Sequence, residues 1–558
     1  MECSDMIAYK SFTSEYTVDF TSDHTLAHEL HSPGAARNEK PEPDLRASTI
    51  TVEVTLWVNQ ASRYGPHLHV DQQHVAIHYR DNGQRMAKEM PCDDKKSTGS
   101  IASSRSIEEG EVFAVGEDGV QFRTVGWIRA AMFFTKMTFA AGVLSIPSAL
   151  YTLGAVAGAL FIAFWGGTNT YMAYLQGEFK MKHPSVHTVA DGAYIITKQF
   201  SGGNERWSFI AREVIEFLYI ITWIICAGVS ILGFSIALNA VSKHATCSVA
   251  FGFVAFFVVS TVGAVRKIHQ LGWVTWLGFG SIVTAIMIVV IAVTITARPA
   301  ASPKTGPFEL GFSPWPPAKT TFAAAWAASL AIFSSSANTS GFVPVISEMR
   351  NPKDYFKSLY ACMAWITSSY LALGLTVYAY CGKWVASPAL GSAGPTIKII
   401  SYGIAIPGLI AGAAICVHVA GKSLFVRILR NTRHLTSNTK THWTVWLACS
   451  YGTGLLGWIL AEAVPFFGSL VSLTGAVGFA PLGICLPALM WFSMHSNYWK
   501  GSMTQKLLCV AHALIIVLGV FAIVAGTYAN IKNIVNQYAA GQVGSAFQCA
   551  DNSGTIAV

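Results

Sequence analysis

The pattern of apolar and polar positions divides the chain into two unlike parts. Residues 1–125 are polar and mixed in charge, and they show no sustained helical or alternating period. We expect this part to be a disordered tail, because so polar a segment cannot bury enough apolar surface to fold. Within it, the apolar patch at 50–58 (ITVEVTLWV) predicts one short strand.

From Trp127 onward the sequence alternates between long apolar runs and polar loops. A helix of about twenty apolar residues crosses about 30 Å of hydrocarbon, and each run is long enough to do so. The pattern predicts an all-α integral membrane protein with about eleven transmembrane helices, in a membrane domain over 126–530. The predicted spans, numbered one to eleven in chain order, are 129–151, 153–176, 211–240, 247–264, 271–296, 319–347, 357–380, 396–420, 442–461, 465–491 and 504–528.

Composition indicates that much of the surface contacts lipid. The 558 residues are 52% hydrophobic and 12% charged, whereas soluble domains carry about 25% charged residues. The net charge of +8 does not indicate a nucleic-acid partner, since the lysines and arginines lie between apolar runs. The 11 cysteines have no CxxC or Cys/His spacing typical of zinc sites, so we expect neither a metal site nor a cofactor.

The loops predict the orientation in the bilayer. Most loop lysines and arginines fall on the side that holds the N-terminal tail, so the positive-inside rule places that tail in the cytoplasm. An odd number of spans then puts the short C-terminal tail, 531–558, on the extracytoplasmic side. Cys247 and Cys381 lie at the outer ends of spans, after three and seven, where oxidation is permitted. Two interpretations stay open for them, a disulfide bond and two separate thiols.

Spans one and six are interrupted. In span one Pro147 follows Gly142 by five positions, and in span six Gly341 and Pro344 follow the polar run 334–340. Proline removes a helical N–H and glycine lets the backbone open. Hydrocarbon tolerates such breaks only against protein or a wet cavity. Matching interruptions in two halves of a chain predict a transporter binding site, with ordinary helix packing as the alternative.

The two breaks suit a substrate that carries both a carboxylate and an ammonium group. Its carboxylate needs N–H donors and the positive dipole end of an opened helix, and its ammonium needs carbonyls and hydroxyls. Two aromatic residues of span three either wall the substrate side chain or pack the interior. With few charges nearby, we expect a neutral substrate. The predicted binding residues are Ala141, Gly142, Val143 and Leu144 in span one, Tyr219 and Trp223 in span three, and Ser334, Ser335, Ser336 and Ala337 in span six.

Two stretches resemble a known family. Residues 140–147 (AAGVLSIP) are similar to a first-helix signature of the amino acid/auxin permease family, and 343–352 (VPVISEMRNP) to the stretch that closes its sixth helix. The likeness extends over about residues 111–495 and points to the neutral amino acid permeases of filamentous fungi. It implies eleven helices, a LeuT-type fold of five-plus-five inverted repeats with broken helices one and six, and amino acid uptake driven by an ion gradient.

The position of Lys136 indicates which ion drives transport. It lies seven residues after Arg129, so it sits roughly 10 Å deeper along the helix, where a lysine is costly and marks function. Sodium-coupled relatives tend to have asparagine there, so an ammonium would occupy the sodium position and favour coupling to protons. The alternative is a side chain that reaches back to the headgroups. Glu348 and His418, near inner ends of spans, are further coupling candidates, with interfacial hydrogen bonding as the alternative.

The sequence therefore predicts a secondary active transporter of neutral amino acids that works with protons by alternating access. An amino-acid sensor that uses the same pocket and a vacuolar exporter are the alternatives. We do not expect an enzyme, because HExxH, GxSxG and P-loop motifs in a suitable context are absent, nor a channel, because repeated pore segments are absent. The expected partners are the substrate, protons and the lipid bilayer. The expected location is the plasma membrane, with the vacuolar membrane as the alternative.

Overall fold

The computed structural model describes residues 9–18, 50–59, 70–81, 84–87, 125–139, 142–265, 268–430, 432, 434, 439–541 and 545–554. For the first four ranges and for 268–273, only the backbone is described. The chain separates into two compact units, one within the N-terminal part and one that contains all the helices given below. Each unit is considered by itself.

The N-terminal unit contains an antiparallel sheet of strands β1 (Tyr9–Val18), β2 (Ile50–Asn59), β3 (Val70–Asp81) and β4 (Gln84–Ala87), in that order. Strand β2 covers the patch at 50–58 that the sequence predicts as a strand. The sequence pattern does not predict the other three strands. Apart from Val125, the remaining residues of the predicted tail lie outside the described part of the chain, so their disorder and cytoplasmic location stay predictions.

The second unit is helical. Its helices are α1 (Trp127–Thr138), α2 (Ile146–Leu153), α3 (Ala155–Lys182), α4 (Val189–Phe200), α5 (Glu205–Ser242), α6 (Ser248–Gly263), α7 (Ile268–Ile295), α8 (Phe322–Ser336), α9 (Val343–Glu348), α10 (Tyr355–Cys381), α11 (Pro395–Leu429), α12 (Lys440–Ala463), α13 (Phe467–Leu473), α14 (Leu486–Met494) and α15 (Met503–Ala539).

Every predicted span overlaps one helix or one helix pair of the structure. Spans one, six and ten are the pairs α1 with α2, α8 with α9 and α13 with α14, and α4 lies in the loop between spans two and three. By length and composition, 6 of the described helices can cross a membrane, or up to 8 if each bent pair is one span. The all-α membrane class is confirmed, whereas the count of eleven spans stays a prediction.

The predicted interruptions are confirmed. Helix α1 ends at Thr138, a 3-10 turn covers Gly142–Ser145, and α2 continues at an angle of 41°. In span six α8 ends at Ser336, and a 3-10 turn at Asn338–Gly341 precedes α9. Pro147 and Pro344 each lie in the first turn of the second helix, where a missing N–H costs no helical hydrogen bond.

Span ten has a bend that the sequence pattern does not predict. Its two halves meet at 42°, and the backbone between α13 and α14 forms π-helical turns at Thr474–Phe479 and Pro481–Cys485. A π-helical turn inserts an extra residue into the helical repeat, often at functional sites. The bend therefore changes which side chains span ten presents to its neighbours.

The predicted pairing of Cys247 with Cys381 is wrong. Cys247 forms a disulfide with Cys549, and their Cα atoms are 4.4 Å apart. Cys381 is a free thiol, 1% exposed, at the end of α10. The partner lies 302 residues away in the C-terminal tail. Because a disulfide needs Cα atoms within about 7 Å, only the path of that tail across the helices could identify the partner.

Candidate functional site

A cavity of about 60 Å³ lies where the two interrupted spans meet. One water molecule needs roughly 10–15 Å³ of cavity volume, so the cavity has room for a few groups of that size. Its lining comes from spans one, three, six, eight and ten. The residues are Lys136, Met137, Thr138 and Gly142, then Trp223, Cys226, Val229 and Ser230, then Ser334, Ser335 and Asn338, then Gly412, Ile415 and Cys416, and finally Val471, Thr474 and Phe479.

Gly142 brings the backbones of the two breaks together. A Cβ atom at this position would lie 2.7 Å from the Cα atom and 2.8 Å from the Cβ atom of Ser335, so only glycine permits this approach. The Ser335 hydroxyl is 3.0 Å from the Gly142 carbonyl and 2.7 Å from the Ala331 carbonyl, and it donates to one of them. The Ser145 hydroxyl donates to the Gly142 carbonyl at 2.8 Å.

Two further hydrogen bonds satisfy carbonyls that the breaks set free. The Asn338 amide donates from Nδ2 to the Met137 carbonyl at 3.0 Å, across the two breaks. The Tyr370 hydroxyl, from α10, donates to the Ser335 carbonyl at 2.8 Å. Asn338 Oδ1 has no hydrogen-bond partner among the described residues. This buried oxygen is therefore an available acceptor at the cavity.

Lys136 is the one charged side chain among the described lining residues. It is 2% exposed, and its Nζ atom lies 3.5 Å from the Gly408 carbonyl in α11. The side chain thus points into the protein toward span eight, and the alternative in which it reaches back to the headgroups does not describe this structure. Its part in coupling stays a prediction.

Four of the predicted binding residues line the cavity, namely Gly142, Trp223, Ser334 and Ser335. Tyr219 packs edge-on against Trp223, with ring centroids 5.9 Å apart. Ser336 accepts a hydrogen bond from Asn169 Nδ2 at 2.8 Å. Ala141 lies outside the described residues. The cavity lining does not include Val143, Leu144 or Ala337, which are buried in the apolar core.

Glu348 and His418 do not line the cavity. The Glu348 carbonyl accepts the Val125 N–H at 3.1 Å, and this contact joins the start of span one to the end of span six. His418 Nδ1 lies 3.1 Å from the Gly263 carbonyl at the end of α6, and its ring packs against Trp446. The ring contact of His418 agrees with the hydrogen-bonding alternative, whereas the Glu348 contact involves only its backbone. The part of both residues in coupling stays a prediction.

Sequence reasoning missed most of the wall that spans three, eight and ten supply. Asn338 carried a usable signal, because it is an amide within the polar run of an interrupted span. Cys226 and Cys416 look like ordinary small apolar residues in the sequence, yet both face the cavity. Thr474 and Phe479 reach it through the π-helical turn of span ten, for which the apolar pattern gives no signal.

A family model of transmembrane amino acid transporter proteins matches residues 123–532. The chain belongs to this family. The resemblance to the amino acid/auxin permeases is thereby confirmed, and the protein is an integral membrane transporter. The matched range contains both interrupted spans and every residue that lines the cavity.

Two fungal relatives match most of the transporter's length. A transmembrane transporter of Gibberella moniliformis is 41% identical over 449 residues, which are 80% of this chain and 92% of that protein. The N amino acid transport system protein of Neurospora crassa is 30% identical over 437 residues, which are 78% of this chain and 90% of that protein.

Among solved structures, the chain is similar to the nucleobase-cation-symport-1 family transporter Mhp1 in a closed conformation with bromovinylhydantoin bound. The two superpose with a TM-score of 0.46 at 10% identity, over 78% of this chain and 96% of that one.

Proposed function

We propose that the protein is a secondary active transporter that carries neutral amino acids together with protons by alternating access. The observation that carries the proposal is the cavity enclosed between the two interrupted helices, where Gly142 meets Ser335. Interrupted helices expose backbone N–H and carbonyl groups. The N–H groups suit the carboxylate of an amino acid, and the carbonyl groups suit its ammonium.

The lining supports a neutral substrate. Polar groups concentrate at the breaks, where the hydroxyls of Ser334 and Ser335 and the free Asn338 Oδ1 suit an ammonium group. The opposite wall is apolar, with Val229, Ile415 and Phe479, and suits an uncharged side chain. None of the described lining residues is acidic, so a cationic side chain would have no counter-charge in the cavity.

The buried ammonium of Lys136 supports proton coupling. Its positive charge lies between spans one and eight, and a fixed cation there repels a sodium ion. A buried lysine can also release its proton and bind it again during a transport cycle, as coupling to protons requires. Glu348 and His418 remain secondary candidates for gating at the inner ends of their spans.

Uptake by cells that lack their own amino acid permeases tests the proposal. The full chain is expressed, and accumulation of radiolabelled neutral, acidic and basic amino acids is compared. We expect accumulation of neutral amino acids that collapses with a protonophore and persists when sodium is replaced. Binding without accumulation would favour the sensor, export from vacuolar vesicles would favour the vacuolar alternative, and sodium-dependent accumulation would contradict proton coupling.

A further inference from the structure

A second and larger cavity, of about 920 Å³, lies at the outer ends of the spans, on the side where α2 ends and α8 begins. We call it the outer vestibule. One side is formed by residues of spans one, six and ten and of the C-terminal end of α15, including Ser148, Ala328, Ser469 and Asn536. By the predicted orientation this side of the protein is extracytoplasmic. Ser145, which bonds the Gly142 carbonyl beside the small cavity, also lines the outer vestibule.

Part of the remaining wall comes from the C-terminal tail. Residues 545–554, which we call the strap, contribute Ser545, Phe547, Gln548, Ala550, Asp551 and Asn552 to the vestibule lining. The strap follows the last helix, α15, and is a non-helical segment lying against the helix ends. A chain terminus is poorly ordered unless something ties it down, so the contacts that hold the strap explain why it forms a wall.

The strap is anchored to spans three, four and eight. The Cys247–Cys549 disulfide attaches it to the start of α6. Asn552 accepts a hydrogen bond from Asn239 Nδ2 at 2.7 Å, and the Ser553 carbonyl accepts one from Lys398 Nζ. These anchors lie on α5, at the start of α6 and on α11, whereas the opposite side of the vestibule belongs to spans one, six and ten and to the end of α15.

We propose that the strap is a selectivity element of the substrate pathway, a wall that excludes bulky molecules from the outer vestibule, and that the Cys247–Cys549 disulfide holds it there. The proposal rests on the proposed function, since a wall selects substrates only where a substrate passes. Once the disulfide is broken, hydrogen bonds such as those that Asn552 and Ser553 accept are what hold the strap, and each contributes little net free energy because the same groups can bond water instead. Cys549 is exposed, so a reductant outside the cell reaches the disulfide. Loss of this covalent link lets the strap move away from the helix ends, and the vestibule widens.

Chemical access to the vestibule tests this wall without requiring transport. Ser148→Cys, in α2, places a thiol on the vestibule lining, and the unmodified chain supplies the background. In intact cells, the labelling rate by a small charged methanethiosulfonate is compared with that by a polyethylene-glycol maleimide. We expect Cys247→Ser with Cys549→Ser to raise the rate for the bulky reagent several-fold relative to the small one, with no such change for the control Cys381→Ser.

If the double variant fails to reach the membrane, a second measurement tests the wall without it. Cells with Ser148→Cys in the otherwise unchanged chain are treated with a membrane-impermeant phosphine, which reduces the disulfide in the folded protein and is washed out before labelling. Labelling of the equally reduced unmodified chain at its released Cys247 and Cys549 thiols is subtracted, and the same rise is expected. An unchanged ratio of the two rates after reduction would overturn the strap as a wall, as would a thiol at 148 that neither reagent reaches. Uptake by the unmodified chain is measured in parallel. If that chain takes up no amino acid while the labelling results are as expected, only the proposed function is contradicted.

Discussion

The Cα atom of Ser335 lies 2.7 Å from the place that a Cβ atom would take on Gly142. The interrupted helices of spans one and six are therefore in direct backbone contact. Real Cβ atoms do not approach other atoms this closely, and the neighbour is backbone that cannot rotate away. A side chain of any size at Gly142 must push the two breaks apart and change the cavity that they enclose.

We expect Gly142→Ala to abolish most substrate uptake and Gly142→Val to abolish all of it, while both proteins still reach the membrane. The matched control is Gly280→Ala in α7, where a Cβ atom would meet nothing within 4 Å. Uptake is normalised to the amount of protein at the membrane. Normal substrate affinity in Gly142→Val would show that the contact does not shape the binding site.

Asn338→Ala removes the hydrogen bond to the Met137 carbonyl and the free acceptor at the cavity. A hydrogen bond contributes about 0.5–1.5 kcal/mol, so we expect KM for uptake to rise by roughly 2- to 10-fold. Asn530→Ala is the control, because the Asn530 amide bonds only within its own helix in the described structure, to the Gly526 carbonyl. Equal effects of the two substitutions would remove Asn338 from the binding site.

Lys136→Ala removes the buried ammonium beside the Gly408 carbonyl. We expect uptake to lose its dependence on the proton gradient, and Lys136→Asn to gain sensitivity to sodium, because an uncharged side chain leaves room for a bound cation. Arg129→Ala, an exposed cation of the same helix, is the control. The measurement is accumulation with and without a protonophore. Wild-type, protonophore-sensitive accumulation in Lys136→Ala is the result that rules out this coupling role.

The predicted topology places the two ends of the chain on opposite sides of the membrane. A tag before residue 110 should be protected from protease in intact cells, whereas a tag after Val558 should be cut. The charge of the loops determines the first expectation, and an odd number of spans determines the second. Two protected tags would mean an even number of spans, and a cut N-terminal tag would reverse the orientation.

The membrane spans and the two breaks could be located from sequence alone. A helix in hydrocarbon must satisfy its backbone within its own segment, so each span carries its signal in about twenty consecutive residues. The same requirement makes Gly142 with Pro147 and Gly341 with Pro344 visible, because a freed backbone group in a membrane is costly. The family signatures at 140–147 and 343–352 lie at these same two places.

Which residues share the cavity and the vestibule depends on how distant segments of the chain pack together. Cys416 and Thr474 reach the cavity because of how spans eight and ten pack and bend, and Lys136 turns toward the Gly408 carbonyl 272 residues away. Cys549 meets Cys247 because the C-terminal strap crosses the outer helix ends. Apolar periodicity reports burial along one helix but not which helices become neighbours, so contacts between distant segments leave no local pattern in the sequence.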